Sequence, residues 1–154
     1  MSSRDGVVAH ERALEDLRTG RVQHLDHAEF SDALEIPWID ANVEWTVTDE
    51  FTRRHDRLRG RSHRAVAAAL GAFIADLARV APHGAPKART GLQLRRIPSD
   101  SLVPEAWSVA WSSIGRATYL LEWRRTNGSW VAHVTWLAIG PHGAPERRRW
   151  RGNA

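Results

Sequence analysis

The chain has 154 residues, enough for one cored domain and too few for two of ordinary size. Its 42% hydrophobic and 26% charged content is that of a folded globular protein rather than a disordered one. The lack of cysteine excludes disulfides, thiolate catalysis, cysteine-ligated zinc and iron–sulfur clusters, and fits a reducing cytoplasm.

No apolar run approaches the ~20 residues that span a bilayer. The N-terminal MSSRDGVVAHERALEDLR lacks the basic start and apolar stretch of a secretory signal. The expectation is a cytoplasmic protein with no membrane partner.

The net charge of +4 hides a division along the chain. Residues 1–48 hold four arginines and ten Asp or Glu, net −6, whereas residues 49–154 carry +10. Lys87 is the single lysine against twenty-one arginines, so the positive charge sits on planar forks suited to bidentate phosphate contacts. A GC-rich genome would give the same bias. A basic body favours nucleic acid or another polyanion, and the acidic lead either masks it or is simply solvated.

In chain order, VVAHERALEDLR (residues 7–18) puts Val7, His10, Leu14 and Leu17 at helical spacing, with Gly20 as a stop. Asp26 with Glu29 reads as a capping box opening a second short helix through Phe30, Ala33 and Leu34, ended by Pro37. VEWTVT alternates Val43, Trp45 and Val47 as a half-buried strand, and Thr48 or Asp49 caps a helix from Glu50. After Gly60 the clearest helix carries Val66, Leu70, Phe73, Ile74 and Leu77 as a core stripe, with Arg61, Arg64 and Arg79 in water.

Residues 81–91 form a Pro- and Gly-rich loop, and LQLRRI (92–97) reads as a short strand. WSVAW (107–111) alternates Trp107, Val109 and Trp111, and a turn at Ser113 to Gly115 leads into RATYLLEWR. Asn127-Gly128 predicts a two-residue type I′ hairpin turn, which fixes a register. Tyr119 then faces Trp136, Leu121 faces Val134, Trp123 faces Ala132, and Arg116 faces Ile139. The other face carries Arg116, Thr118, Leu120 and Glu122 beside His133, Thr135 and Leu137, a mixed set that reads as solvated or ligand-facing. Glu122 lies opposite His133, as a surface pair.

The expected fold is α+β: an N-terminal strand, a helical hairpin, then a 3–4-stranded antiparallel sheet, with an acidic helical extension in front. The order VEWTVTDEF…LGAFIADLA, AWSVAW, GRATYLLEW and HVTWLAIGPH resembles the RelE/ParE superfamily of toxin–antitoxin toxins over roughly residues 42–145. Its most specific parts are the Gly-Arg opening of GRATY and the closing IGPH. The corresponding division is an acidic, antitoxin-like extension over 1–41, a toxin domain over 42–145 and a basic tail over 146–154.

The resemblance implies a RelE-, YoeB- or HigB-like toxin that inhibits translation by cutting mRNA on the ribosome, or a ParE-like inhibitor of DNA gyrase. It implies a cognate antitoxin, in trans or in cis through residues 1–40, and no cofactor or metal. Cleavage by the ribose 2′-hydroxyl needs a base, an acid and cations for the developing phosphorane charge. Arg116 falls where nuclease toxins hold the scissile phosphate, and His142 falls where several carry a histidine or arginine. Their implied roles are transition-state stabilisation and general acid or base.

Arg95, Arg96, Arg147, Arg148 and Arg149 are the expected backbone-phosphate contacts. Ser108 and Ala110 stand where RelE carries lysines, and Trp150 is the aromatic nearest the C-terminus, which keeps a non-enzymatic or catalytically decayed member as the alternative. A plain RNA-binding module fits the charge, but the register buries the tryptophans rather than displaying them for base stacking. PHGAP occurs twice, at 82–86 and 141–145, and only the second copy carries a histidine at the functional edge.

Overall fold

Two helices cap themselves, one strand is buried on both faces, and a long hairpin supplies most of the sheet. The computed structural model describes residues 2–82, 95–96, 106–112 and 115–141, with side chains for 8–82, 106–112 and 115–140. The elements are α1 (Ser2–Thr19), β1 (Val22–Leu25), α2 (His27–Leu34), β2 (Val43–Thr48), α3 (Asp49–Asp56), α4 (Gly60–Leu77), β3 (Arg95–Arg96), β4 (Trp107–Ala110), β5 (Gly115–Thr126) and β6 (Ser129–Pro141).

The fold is α+β, built on one six-stranded sheet of order β1-β2-β6-β5-β4-β3. Every neighbouring pair is antiparallel except β2 and β6, which run parallel. This corrects the expected 3–4-stranded antiparallel sheet. Five of the six β2 residues are buried, so β2 takes an interior slot with a strand on each side rather than an edge. The partner on its outer side is β1, absent from the sequence reading because Val22-Gln23-His24-Leu25 is short and only its ends are partly buried. The acidic lead is therefore not wholly helical.

Local signals explain the element ends. Asp26 accepts from the Glu29 amide while the Glu29 carboxylate accepts from the Asp26 amide, the reciprocal capping box expected for α2. Thr48 caps α3 by accepting from the Phe51 amide, and its hydroxyl donates to the Leu137 carbonyl of β6. One threonine thus ends β2, starts α3 and ties both to β6. Gly20, at φ 78°, closes α1, with the Arg21 amide donating back to the Asp16 carbonyl.

Asn127 and Gly128 have φ of 51° and 81°, as a type I′ turn requires. The register it sets holds from Thr126 back to Tyr119, pairing Tyr119 with Trp136, Leu121 with Val134 and Trp123 with Ala132. It then shifts by one residue. Thr118 pairs with Ala138, so Leu137 is the extra residue of a β-bulge, and Arg116 faces Gly140 rather than Ile139.

One face of the sheet carries the main core. Trp136 is fully buried, with ring contacts to Phe30, Trp45, Phe51, Phe73 and Tyr119, all within 6.4 Å. These rings come from α2, β2, α3, α4 and β5, so this one side chain joins five elements. Phe30, Leu34 and Ile36 belong to this core, so the acidic lead supplies part of it. Among the described residues Trp38 is exposed, at 62%, while Trp107, Trp123 and Trp130 are half-buried.

Candidate functional site on the polar face

The opposite face is mixed, as the alternation predicts, but its middle is not bare. Ala13, Leu14 and Leu17 of α1 pack there on Leu137, Leu120 and Ala106. Leu137 is on this side by alternation, and the bulge brings Ala138 beside it, opposite Thr118. Asp16 locks the helix in place: its carboxylate accepts from the Glu50 amide at 2.8 Å and from Arg21 Nε at 3.2 Å. Only 4% of Asp16 is exposed, so α1 is fastened to the start of α3 by a buried charge.

At one end of this face stands Arg116, the first side chain after the Gly115 opening of β5. It is only 7% exposed, and its Nε donates to Ser108 Oγ of β4 at 2.8 Å. Ser108 therefore helps to orient the arginine. Gly115 has no room for a side chain, because a methyl there would enter the Trp111 indole.

Gly140 lies directly across from Arg116, and Arg54 Nη1 of α3 sits 3.5 Å from where a Gly140 Cβ would be. Arg54 is held by Glu50, whose two carboxylate oxygens accept from Arg54 Nε at 2.5 Å and Arg53 Nη2 at 2.8 Å. Glu50 is 1% exposed, so it fixes both guanidinium groups rather than merely screening them. Arg54 and Glu50 were not among the sequence-derived site residues, although the i,i+3 and i,i+4 spacing of Glu50-Arg53-Arg54 was a readable signal.

The remaining expected residues are placed in part. Arg95 pairs through its backbone with Ser108, and Arg96 with Trp107, which brings β3 beside the strand that orients Arg116. His142, Arg147, Arg148, Arg149 and Trp150 lie outside the described residues, as does the first PHGAP copy beyond Pro82. Pro141 opens the second copy and pairs with Gly115. Tyr119 offers no nearby proton donor: its hydroxyl is buried on the core face, and burial pushes the phenol well above its ordinary pKa, with Arg116 opposing.

At the other end a chain of polar contacts crosses four strands. His24 Nδ1 meets Thr46 Oγ1 at 2.9 Å, and Thr46 Oγ1 meets His133 Nε2 at 2.8 Å. His133 Nδ1 lies 3.2 Å from both Glu44 Oε1 and Arg124 Nη1. A protonated Nδ1 donates to Glu44, whereas a bare Nδ1 accepts from Arg124, so one tautomer serves one partner. The expected pairing of Glu122 with His133 is corrected: their Cα atoms are opposed, but Glu122 accepts from Arg124 at 3.0 Å while His133 turns to β2.

Among the described residues no three His, Cys, Asp or Glu side chains are arranged to hold a metal ion, and no helix is long and apolar enough to cross a membrane. Comparisons with known protein families, curated proteins and solved structures found no match.

Proposed function

We propose that this chain acts on RNA through the Arg116 end of its polar face, as a toxin-like inhibitor of translation of the RelE type. The observation that carries the reading is the arginine pair around Gly140. Arg116 is oriented by Ser108 and pairs across the strands with Gly140, and Arg54, held by Glu50, sits 3.5 Å from where a Gly140 Cβ would be. Two fixed guanidinium groups flanking a residue without a side chain form a fitting cradle for a phosphodiester.

In the cleavage step the 2′-oxygen bonds to phosphorus and its proton leaves to a base. The P–O5′ bond breaks, and the 5′-oxygen takes a proton from an acid. Arg116 stabilises the phosphorane charge. His142, one residue beyond the Pro141 that pairs with Gly115, is the proposed proton-transfer group. In this reading α1 is an in-cis cover, because it packs on the face that bears Arg116.

A second reading, a non-enzymatic binder of RNA or of DNA gyrase, draws on the low exposure of Arg116. Mapping mRNA 5′ ends after induction separates the two. Ribosome-phased cuts that vanish in Arg116→Ala support the nuclease. A DNA-damage response without cuts excludes it in favour of gyrase.

A further inference from the structure

The junction between α3 and α4 reads RLRGRSHR over residues 57–64, four arginines with no acid among them. Arg57, Arg59, Arg61 and Arg64 are all exposed. Among the described residues five arginines are answered by acids: Arg18 by Glu15, Arg21 by Asp16, Arg53 and Arg54 by Glu50, and Arg124 by Glu122. Arg59 is turned onto the backbone carbonyls of Asp56 and Leu58. Arg57, Arg61 and Arg64 have no ion-pair partner among the described residues.

The arrangement opposes the stability of the helix that carries it. Arg61 and Arg64 stand one turn apart at the start of α4, where like charges repel. That end of a helix is also the positive end of its dipole, which disfavours cations. The first turn of α4 has no acidic residue and its N-cap, Arg59, makes no side-chain cap bond. By contrast α3 opens on Thr48, Asp49 and Glu50, and α2 on a capping box. A locally unfavourable charge cluster that folding does not need is the pattern of a surface kept for a partner.

We propose that Arg57, Arg61 and Arg64 form a docking surface for a nucleic-acid backbone, separate in its residues from the Arg116 cradle. The partner is a chain of phosphates, because exposed arginines close in sequence and without ion-pair partners match a repeating singly charged backbone. Contacts of this kind position a strand without reading its bases. The surface thus supplies affinity, while the Arg116 end supplies any chemistry.

The test uses the full-length protein and a fluorescein-labelled 20-nucleotide poly(U) strand, with affinity followed by anisotropy between 50 and 200 mM salt. The triple variant Arg57→Gln, Arg61→Gln, Arg64→Gln is compared with wild type and with Arg116→Ala. The proposal predicts that the slope of log K against log salt falls by about 2 in the triple variant, from ~0.7 per lost phosphate contact. It also predicts that the triple variant melts at the same temperature or about 1–3 °C higher, because repulsion is relieved.

A slope unchanged in a folded triple variant overturns the proposal, as does a melting temperature that drops by several degrees, which would make the arginines structural. Equal binding of polyglutamate and poly(U) by wild type overturns it in favour of an acidic protein partner. If only Arg116→Ala loses cleavage while the triple variant alone loses salt-dependent affinity, both the cradle and the docking surface stand. If Arg116→Ala changes nothing but the triple variant does, the cradle fails and the docking surface stands.

Discussion

The two faces of the sheet are built on opposite principles. On the core face rings from five elements converge on Trp136, and the polar atoms there are few: the Tyr119 hydroxyl and the Trp136 indole N–H have no hydrogen-bond partner among the described residues. On the other face a small apolar patch under α1 separates two polar groups, each tied by side-chain hydrogen bonds across strands. The first face is a source of stability that tolerates unsatisfied groups. The second spends buried charge on orientation, which is what a site for a charged ligand requires.

The largest effect that breaks this contrast is expected on the core face. Trp136→Ala removes the common contact of five rings and should cost about 3–5 kcal/mol, read as a large drop in the urea midpoint. If the loss were below about 1 kcal/mol, the five elements would not share a core. Next comes Gly115→Ala, which forces a methyl into the Trp111 ring at the mouth of β5 and should cost about 1–3 kcal/mol by overpacking. Unlike Trp136→Ala, it should also displace Arg116, so RNA cleavage should fall further than stability explains.

Asp16→Ala addresses the fastening of α1. It removes an acceptor for the Glu50 amide and should cost about 1 kcal/mol, as lost caps do. Amide exchange should rise in α1 and at Leu137 while β2 and the rest of the core stay protected. A uniform rise across the sheet would mean that α1 is inseparable from the fold. Deleting residues 1–40 is the wrong form of this experiment, since Phe30, Leu34 and Ile36 would leave the main core.

His55 sharpens the comparison through pH. Burial, with His63 nearby, holds its pKa below the ordinary value of 6.5, against smaller opposing effects of Asp56 and Glu35. A depressed histidine favours the folded state above about pH 6.5, and that contribution is lost as the pH falls through the folded value. His55→Phe, which keeps the ring beside Phe51, should therefore flatten the decline of melting temperature below pH 6.5. An unchanged decline would assign it to other groups. The smallest effect is expected of Tyr119→Phe, neutral to slightly stabilising because it removes a buried, unpartnered hydroxyl. A clear loss of stability would reveal a hidden partner for it.

Much of the core face was legible in the sequence, since Asn127-Gly128 fixed the hairpin and the α4 stripe, the capping box and Thr48 all act locally. What depends on distant pairing was not. Nothing in VQHL announces that it will extend the sheet beside β2, and the parallel pairing of β2 with β6 joins residues about 90 positions apart. The bulge at Leu137 moved Arg116 from Ile139 to Gly140, a one-residue change that no alternation pattern contains. Arg116 was identified from its place in the strand, whereas the residues that orient or flank it, Ser108, Glu50 and Arg54, emerge only when three elements meet.

The central claim is that the Arg116 end of the polar face takes a phosphate chain. It is tested most directly by titrating a short single-stranded RNA into isotope-labelled protein and following backbone amide signals. The account predicts that the largest changes fall at Arg116, Gly140, Ser108 and Arg54, with α1 responding beside them, and that Arg116→Ala abolishes this set. Saturable RNA binding that leaves those four amides unmoved would contradict it.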